Sequence, residues 1–137
     1  MAVGSDKSGQ LTIGQDSRVT KSGKFIRKYK IDEFPQLINI LKGEMSVVGP
    51  RPEVPKYVEL YSDEQLNVLN ILPGLTDYAS IEYFDEQMIL GQSDNPEKTY
   101  VEEIMPAKLS LNLKYVANQS FSVDLGCIFK TILKVIK

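Results

Sequence analysis

Two adjacent carboxylates, Asp32 and Glu33, are the residues of this sequence best suited to chemistry. They precede apolar residues that recur at helical spacing: Phe34, Leu37, Ile38 and Leu41. The spacing predicts a helix over 33–41 with Asp32 at its N-cap. Free N–H groups at a helix start stabilise ionised carboxylates and bind anions. A capping role alone remains the alternative for this pair, because most capped helices have no further function.

Two arginines flank the carboxylate pair. Arg27 precedes it, and Arg51 follows a short strand-forming run, between Pro50 and Pro52. Proline fixes its own φ and restricts the residue before it, so Arg51 has little backbone freedom. Arginine binds phosphate in a bidentate way, and Mg²⁺ often bridges carboxylates and phosphates. These residue types permit metal-assisted phosphoryl transfer with a carboxylate able to act as the nucleophile.

The composition excludes several kinds of catalytic and metal-binding group. The 137 residues include no histidine and one cysteine, which excludes an imidazole base, an internal disulfide and a Cys-rich zinc site. Cys127 falls in an apolar helical pattern and is predicted to lie in a core. A net charge of −2 argues against nucleic acid as a partner.

The remaining pattern predicts one α+β domain that is mostly helical with a few short strands. Residues 1–20 are polar and are predicted to form a flexible N-terminal arm before a folded domain over 21–137. Gly43 is expected to end the first helix. Strands are predicted at 45–48 and 75–84, and further helices at 54–72 in two pieces, 85–90, 96–118 with a break at Pro106, and 120–137.

The last predicted helix has a broad apolar face beside several lysines. A core helix and an amphipathic helix lying on a membrane surface explain this pattern equally well. No run of 18 apolar residues is present, so no segment of this sequence is expected to span a bilayer as a helix.

The run from Arg18 to Pro52 contains the combination Lys-x-x-x-Asp-Glu-x-Pro-Gln-Leu and ends in Val-Gly-Pro-Arg-Pro. It resembles the bacterial sugar transferase family, the polyprenyl-phosphate phosphoglycosyl transferases. Four conservative differences separate it from the family pattern: Phe34 for Leu, Ile40 for Val, Glu44 for Asp and Val47 for Leu. The similarity continues through 73–76 and from Tyr115 to Leu125.

The resemblance implies transfer of a sugar-1-phosphate from a UDP-sugar to undecaprenyl phosphate on the cytoplasmic face of the bacterial inner membrane. This reaction serves the synthesis of exopolysaccharide, capsule and other glycoconjugates. The motif assigns Asp32 as a nucleophile that forms an aspartyl-phosphosugar intermediate, and Glu33 as a ligand of Mg²⁺. It assigns Arg27 to phosphate or headgroup, and Arg51 with Pro50 and Pro52 to the nucleotide end.

Members of the family also carry an N-terminal membrane segment that this sequence lacks. We therefore expect a truncated catalytic domain that is soluble, inactive or weakly active alone, and prone to self-association through its last helix. Asp77-Tyr78 stands where the family often has Gly-Trp, and Asn112 where many members have Asp. A non-catalytic remnant that binds a nucleotide-sugar or a partner protein is the alternative.

Overall fold

The computed structural model describes residues 20–28, 31–51 and 53–136. Its helices are α1 (Lys21–Lys28), α2 (Gln36–Leu41), α3 (Pro55–Val58), α4 (Tyr78–Glu82), α5 (Glu86–Gly91), α6 (Pro96–Thr99), α7 (Met105–Ala117) and α8 (Phe121–Ile136). Its strands are β1 (Ser46–Val48) and β2 (Gly74–Thr76). The predicted α+β class, mostly helical with short strands, is confirmed. The expected N-terminal arm lies almost wholly outside the described residues.

The two strands run parallel, with Ser46 opposite Gly74 and Val48 opposite Thr76. The backbones of Gly49 and Gly74 touch so closely that a Cβ on Gly74 would lie 2.6 Å from Gly49 Cα. The strand at 45–48 is confirmed, but the one predicted over 75–84 is wrong beyond Thr76. The reason is Asp77, whose carboxylate accepts a 2.6 Å hydrogen bond from the Ser80 N–H and caps α4.

The helix predicted over 33–41 is shorter than expected. α2 begins at Gln36, its N-cap is Pro35, and Asp32 lies in a 3₁₀ turn over Ile31–Glu33. The prediction of Asp32 as N-cap is therefore wrong, because Pro35 disfavours helical geometry at the residue before it. Gly43 follows α2 with φ +77° as predicted, in a Schellman motif closed by its own N–H and that of Glu44.

The helix predicted over 54–72 is correct in having two pieces but overestimates their length. It consists of the four-residue α3 and a 3₁₀ turn over Gln65–Asn70, joined by a link over 59–64 that is mostly turns. Ser62 and Gln65 form a capping box at the start of the second piece, because each accepts a hydrogen bond from the other's backbone N–H.

The helical stretch predicted over 96–118 is interrupted as expected. A π-helical turn over Tyr100–Ile104 joins α6 to α7 immediately before Pro106, which has no N–H to donate. Pro96 lies at the start of α6 as predicted. These turns bring the N-terminal half of α7 against the 3₁₀ turn of 65–70 and against α4.

Two apolar clusters hold these elements together. The first centres on seven buried residues: Tyr57, Val68, Leu90, Tyr100, Ile104, Met105 and Leu109. The second joins Val48, Tyr115 and Cys127, and so packs α7 and α8 against β1. The Tyr115 hydroxyl lies 2.7 Å from Asp124 Oδ1 and 3.2 Å from the Val48 carbonyl oxygen, which links the same three elements.

Helix α8 is buried on one face and exposed on the other, so its core role is confirmed while its role at a membrane stays a prediction. Cys127 on its inner face is fully buried, as predicted, and burial raises the pKa of its thiol to about 11. On its outer face Phe121 and Ile136 are 84% and 77% exposed. In the described part of the chain, no helix is both long enough and apolar enough to cross a membrane.

Candidate functional site

An ion pair joins two of the predicted site residues. Arg51 Nη1 donates to Glu33 Oε1 at 2.9 Å, and both side chains are partly buried. Glu33 ends the 3₁₀ turn before α2, whereas Arg51 follows β1 through the buried Gly49 and Pro50. The fold therefore brings together residues separated by 18 positions, and the pairing supports the view that they serve one site.

Asp77 holds the same arginine from the other side. Its Oδ2 accepts a 3.3 Å hydrogen bond from the Arg51 backbone N–H while its Oδ1 caps α4. Asp77 is only 2% exposed, so this carboxylate is committed to the protein rather than to solvent. In the sequence, Asp77 stands out only as a departure from the family pattern. The three-residue spacing of Asp77 to Ser80 was the available signal for its capping role.

The other predicted site residues differ in how far the structure describes them. Asp32 is exposed and adjacent to Glu33 in the 3₁₀ turn, so its carboxylate is accessible to a substrate. Pro50 is buried and lines a cavity beside Arg51. Arg27 lies in α1, but its side chain and all of Pro52 lie outside the described residues.

A cavity of about 520 Å³ lies on one side of Arg51. We call it the polar cavity, and its polar lining includes Arg51, Glu53, Asp77, Glu86, Tyr100, Lys108 and Asn112. Lys108 Nζ bonds to Glu86 Oε2 at 2.9 Å and lies 3.4 Å from Glu53 Oε1. The Tyr100 hydroxyl donates to the Glu53 carboxylate.

Two carboxylates, those of Glu53 and Glu86, share the one ammonium group of Lys108 in this cluster. Burial by itself would lower the pKa of Lys108, but the carboxylates of Glu86 and Glu53 more than offset it and raise that pKa. Burial and the hydrogen bond to Glu53 also raise the pKa of Tyr100. None of these four residues was predicted from the sequence to belong to the site. They come from four separate segments, so no local spacing indicated that they would meet.

A groove of about 250 Å³ lies on the other side of the ion pair. Glu33 and Arg51 line this apolar groove, and the rest of its lining is mainly apolar: Phe34, Leu37, Val47, Leu75, Ile81, Phe84, Ile128, Ile132 and Val135. The lining belongs to the α2 segment, both strands, the α4 segment and α8. Arg51 thus lines the polar cavity and the apolar groove at once.

The carboxylate oxygens of Asp32 and Glu33 are ligands of the type that Mg²⁺ prefers. Among the described residues, no group of three or more acidic, cysteine or histidine side chains is arranged to hold a metal ion. The described residues therefore do not form a metal site whose ligands all come from the protein. Mg²⁺ commonly binds through one or two carboxylates together with substrate phosphates, and two adjacent carboxylates fit that mode.

Comparison with known proteins supports the family resemblance that the motif at 18–52 indicated. The family model described as bacterial sugar transferase matches residues 1–137. Over 131 residues the chain is 37% identical to a Bacillus subtilis protein named uncharacterized sugar transferase EpsL, covering 96% of this chain and 56% of that protein.

Two further relatives have names that state a reaction. The chain is 33% identical over 140 residues to an Aeromonas hydrophila UDP-N-acetylgalactosamine-undecaprenyl-phosphate N-acetylgalactosaminephosphotransferase, covering 99% of this chain and 30% of the relative. It is 37% identical over 132 residues to a Klebsiella pneumoniae UDP-glucose:undecaprenyl-phosphate glucose-1-phosphate transferase, covering 94% of this chain and 26% of the relative. The chain thus spans about half the length of the first of these relatives and less of the others. With a match over its whole length, this chain belongs to the bacterial sugar transferase family.

Proposed function

We propose that this chain is part of the catalytic domain of a phosphoglycosyl transferase. It would transfer a sugar-1-phosphate from a UDP-sugar to undecaprenyl phosphate, in exopolysaccharide or related glycoconjugate synthesis. The observation that carries the proposal is the position of Arg51, which pairs with Glu33 and lines both the polar cavity and the apolar groove. The reaction joins a polar donor to a lipid acceptor, and this position adjoins a site suited to each.

The proposed chemistry has two displacements at one phosphorus atom. The exposed Asp32 carboxylate attacks the phosphorus that bears the sugar, and UMP leaves with the bridging oxygen. The resulting aspartyl-phosphosugar is then attacked by an oxygen of the lipid phosphate. That step releases the Asp32 carboxylate and forms the lipid diphosphate sugar.

The neighbouring residues would bind and orient the donor. Glu33, with Asp32 beside it, would hold Mg²⁺, which when bound supplies charge neutralisation to the diphosphate. Arg51, which the motif assigns to the nucleotide end, would contact the diphosphate of the donor there while keeping Glu33 in place, and its own backbone is fixed by Asp77 and Pro50. Arg27 would complete the phosphate contacts.

The lipid acceptor would approach from the membrane surface. The apolar groove, which Glu33 and Arg51 help to line, would receive the first isoprenoid units of the acceptor. The outer face of α8, where Phe129 is 62% exposed, would lie on the cytoplasmic face of the inner membrane. Self-association through this face is the alternative.

A trapping experiment tests the covalent step. The protein, at the full length its gene encodes, is mixed with Mg²⁺ and UDP-sugar labelled in the sugar, without lipid acceptor, and then quenched rapidly. We expect label on the denatured protein that hydroxylamine releases, as an acyl phosphate requires. Turnover in the presence of lipid, without label in its absence, would contradict the aspartyl intermediate.

A module that binds a nucleotide-sugar without turnover is the second candidate. Asn112, which stands where many members of the family have Asp, favours it. Such a module would bind UDP-sugar with or without Asp32→Asn and would release no UMP at any length of the protein.

A further inference from the structure

We propose that the polar cavity binds the sugar ring of the donor, with Asn112 and the Lys108–Glu53–Glu86 cluster as the groups that recognise it. This inference rests on the proposed function. It adds a location for the sugar and a set of specificity-determining residues that the motif at 18–52 does not contain.

The size of the cavity is the first argument. Protein interiors are packed with few voids larger than a water molecule, whereas small-molecule sites are typically several hundred Å³. At about 520 Å³ the polar cavity falls in the second class. It also adjoins Arg51, which the proposed function assigns to phosphate, so a group bonded to that phosphate would lie within reach of the cavity.

The charged cluster is the second argument. Lys108, Glu53 and Glu86 are mostly buried, with 19%, 21% and 23% of their side chains exposed, and all three line the cavity. Buried ion pairs contribute little net stability because desolvation offsets their attraction. They nevertheless present hydrogen-bond donors and acceptors side by side, which is what a ring carrying several hydroxyl groups requires.

Asn112 supplies an independent observation. It lies on α7 four residues after Lys108, lines the same cavity and is 5% exposed. Its Oδ1 is buried without a hydrogen-bond partner in the described part of the chain. An unsatisfied buried acceptor is costly, and a hydroxyl or acetamido N–H of a bound sugar would satisfy it.

The sugar fits this cavity better than the base of the nucleotide does. Bases bind by stacking on aromatic faces, but the three tyrosines that line the cavity are already packed. Tyr61 lies against the first apolar cluster. Tyr57 and Tyr100 pack against each other with ring centroids 4.9 Å apart, and Lys108 Nζ lies 5.4 Å from the centroid of the Tyr100 ring. The sugar is also the group that stays on the protein through both displacements, so fixed buried contacts suit it.

The test compares affinities for UDP-sugars with the affinity for UDP. Calorimetry on wild type, Asn112→Ala and Ser110→Ala would use UDP-glucose, UDP-galactose and UDP-N-acetylgalactosamine with Mg²⁺. Ser110 is an exposed residue on the same helix and serves as the matched control. The quantity of interest is the ratio of the Kd for UDP to the Kd for the preferred UDP-sugar, which isolates the contribution of the sugar.

We expect Asn112→Ala to lower this ratio about tenfold, the effect of one buried hydrogen bond, with Kd for UDP unchanged. Ser110→Ala should leave both values at wild type. If Asn112→Ala fails to fold, Glu86→Gln, which keeps the side-chain shape, should lower the ratio in the same way.

An unchanged ratio would overturn the inference, as would an equal loss of affinity for UDP and UDP-sugar, which would assign the cavity to the nucleoside. Either result could accompany normal turnover, and the proposed function would then survive. Wild-type protein that binds none of the three UDP-sugars would contradict both.

Discussion

Arg51 and Glu33 form an ion pair with Nη1 and Oε1 2.9 Å apart, at the boundary between the polar cavity and the apolar groove. The Arg51 backbone is held at the same time by the buried carboxylate of Asp77. One arginine therefore connects the 3₁₀ turn carrying Asp32, the end of β1 and the cap of α4. This connection fixes the position of Asp32 and Glu33 relative to the polar cavity and the apolar groove.

Glu33→Gln should raise the Mg²⁺ concentration needed for half-maximal UMP release about tenfold, because a neutral amide is a weaker ligand for a hard cation. The measurement is a Mg²⁺ titration of the full-length protein. Glu44→Gln, an exposed residue after α2, is the control and should leave the titration unchanged. Equal titrations for wild type and Glu33→Gln would remove Glu33 from the metal site.

Gly74→Ala should destabilise the fold by about 3 kcal/mol or more, since its Cβ would overlap the Gly49 backbone, which cannot move aside. Gly126→Ala is the matched control, because its Cβ would meet only the Tyr78 hydroxyl at an ordinary 3.7 Å. That change should be neutral or stabilise α8 by about 0.5–1 kcal/mol. Urea unfolding measures both, and similar free energies of unfolding for the two variants would contradict the close approach of the strands.

Much of the fold could be predicted from local signals. Gly43 after α2, the reciprocal Ser62–Gln65 bonds, Pro96 at the start of α6 and the break before Pro106 each depend on residues within one turn. The strand predicted over 75–84 was wrong because the β-prone side chains beyond Thr76 were outweighed by the cap at Asp77.

The candidate site was predictable only in part. The motif placed Glu33 and Arg51 together, and the ion pair agrees with that. The Glu53, Tyr100 and Lys108 contacts join segments up to 55 residues apart. No periodicity links such segments, and only tertiary packing brings them to one cavity.

The Cys127 thiol should make stability depend on pH above about 9. Its pKa is raised by burial from 9.0 to about 11 in the folded chain, so the unfolded chain ionises first as pH rises. The free energy of unfolding should therefore be unaffected by this thiol below pH 9. Between pH 9 and 11 it should fall by up to about 2–3 kcal/mol.

Urea unfolding at pH 8 and pH 10.5 would measure this contribution. Cys127→Ala should lose less stability between the two values than wild type does. The same loss in both proteins would show that the thiol is not protected from ionisation by the fold.

The outer face of α8 should bind lipid. Phe129→Glu should weaken binding to vesicles of phosphatidylglycerol and phosphatidylethanolamine about tenfold or more, because it places a charge on the exposed apolar face. Ser122→Glu adds the same charge at an exposed polar position of the helix and is the control. A wild-type dimer that becomes a monomer in Phe129→Glu, with vesicle binding unchanged, would assign this face to self-association instead.

The nucleophile assignment is tested most directly by UMP release from Asp32→Asn in the full-length protein, with Mg²⁺, UDP-sugar and undecaprenyl phosphate. Asparagine keeps the shape of the side chain but cannot form the acyl phosphate, so we expect the rate to fall by about 10³-fold or more. Asp63→Asn, at an exposed position outside both cavities, should retain the wild-type rate. Normal turnover by Asp32→Asn would contradict the account.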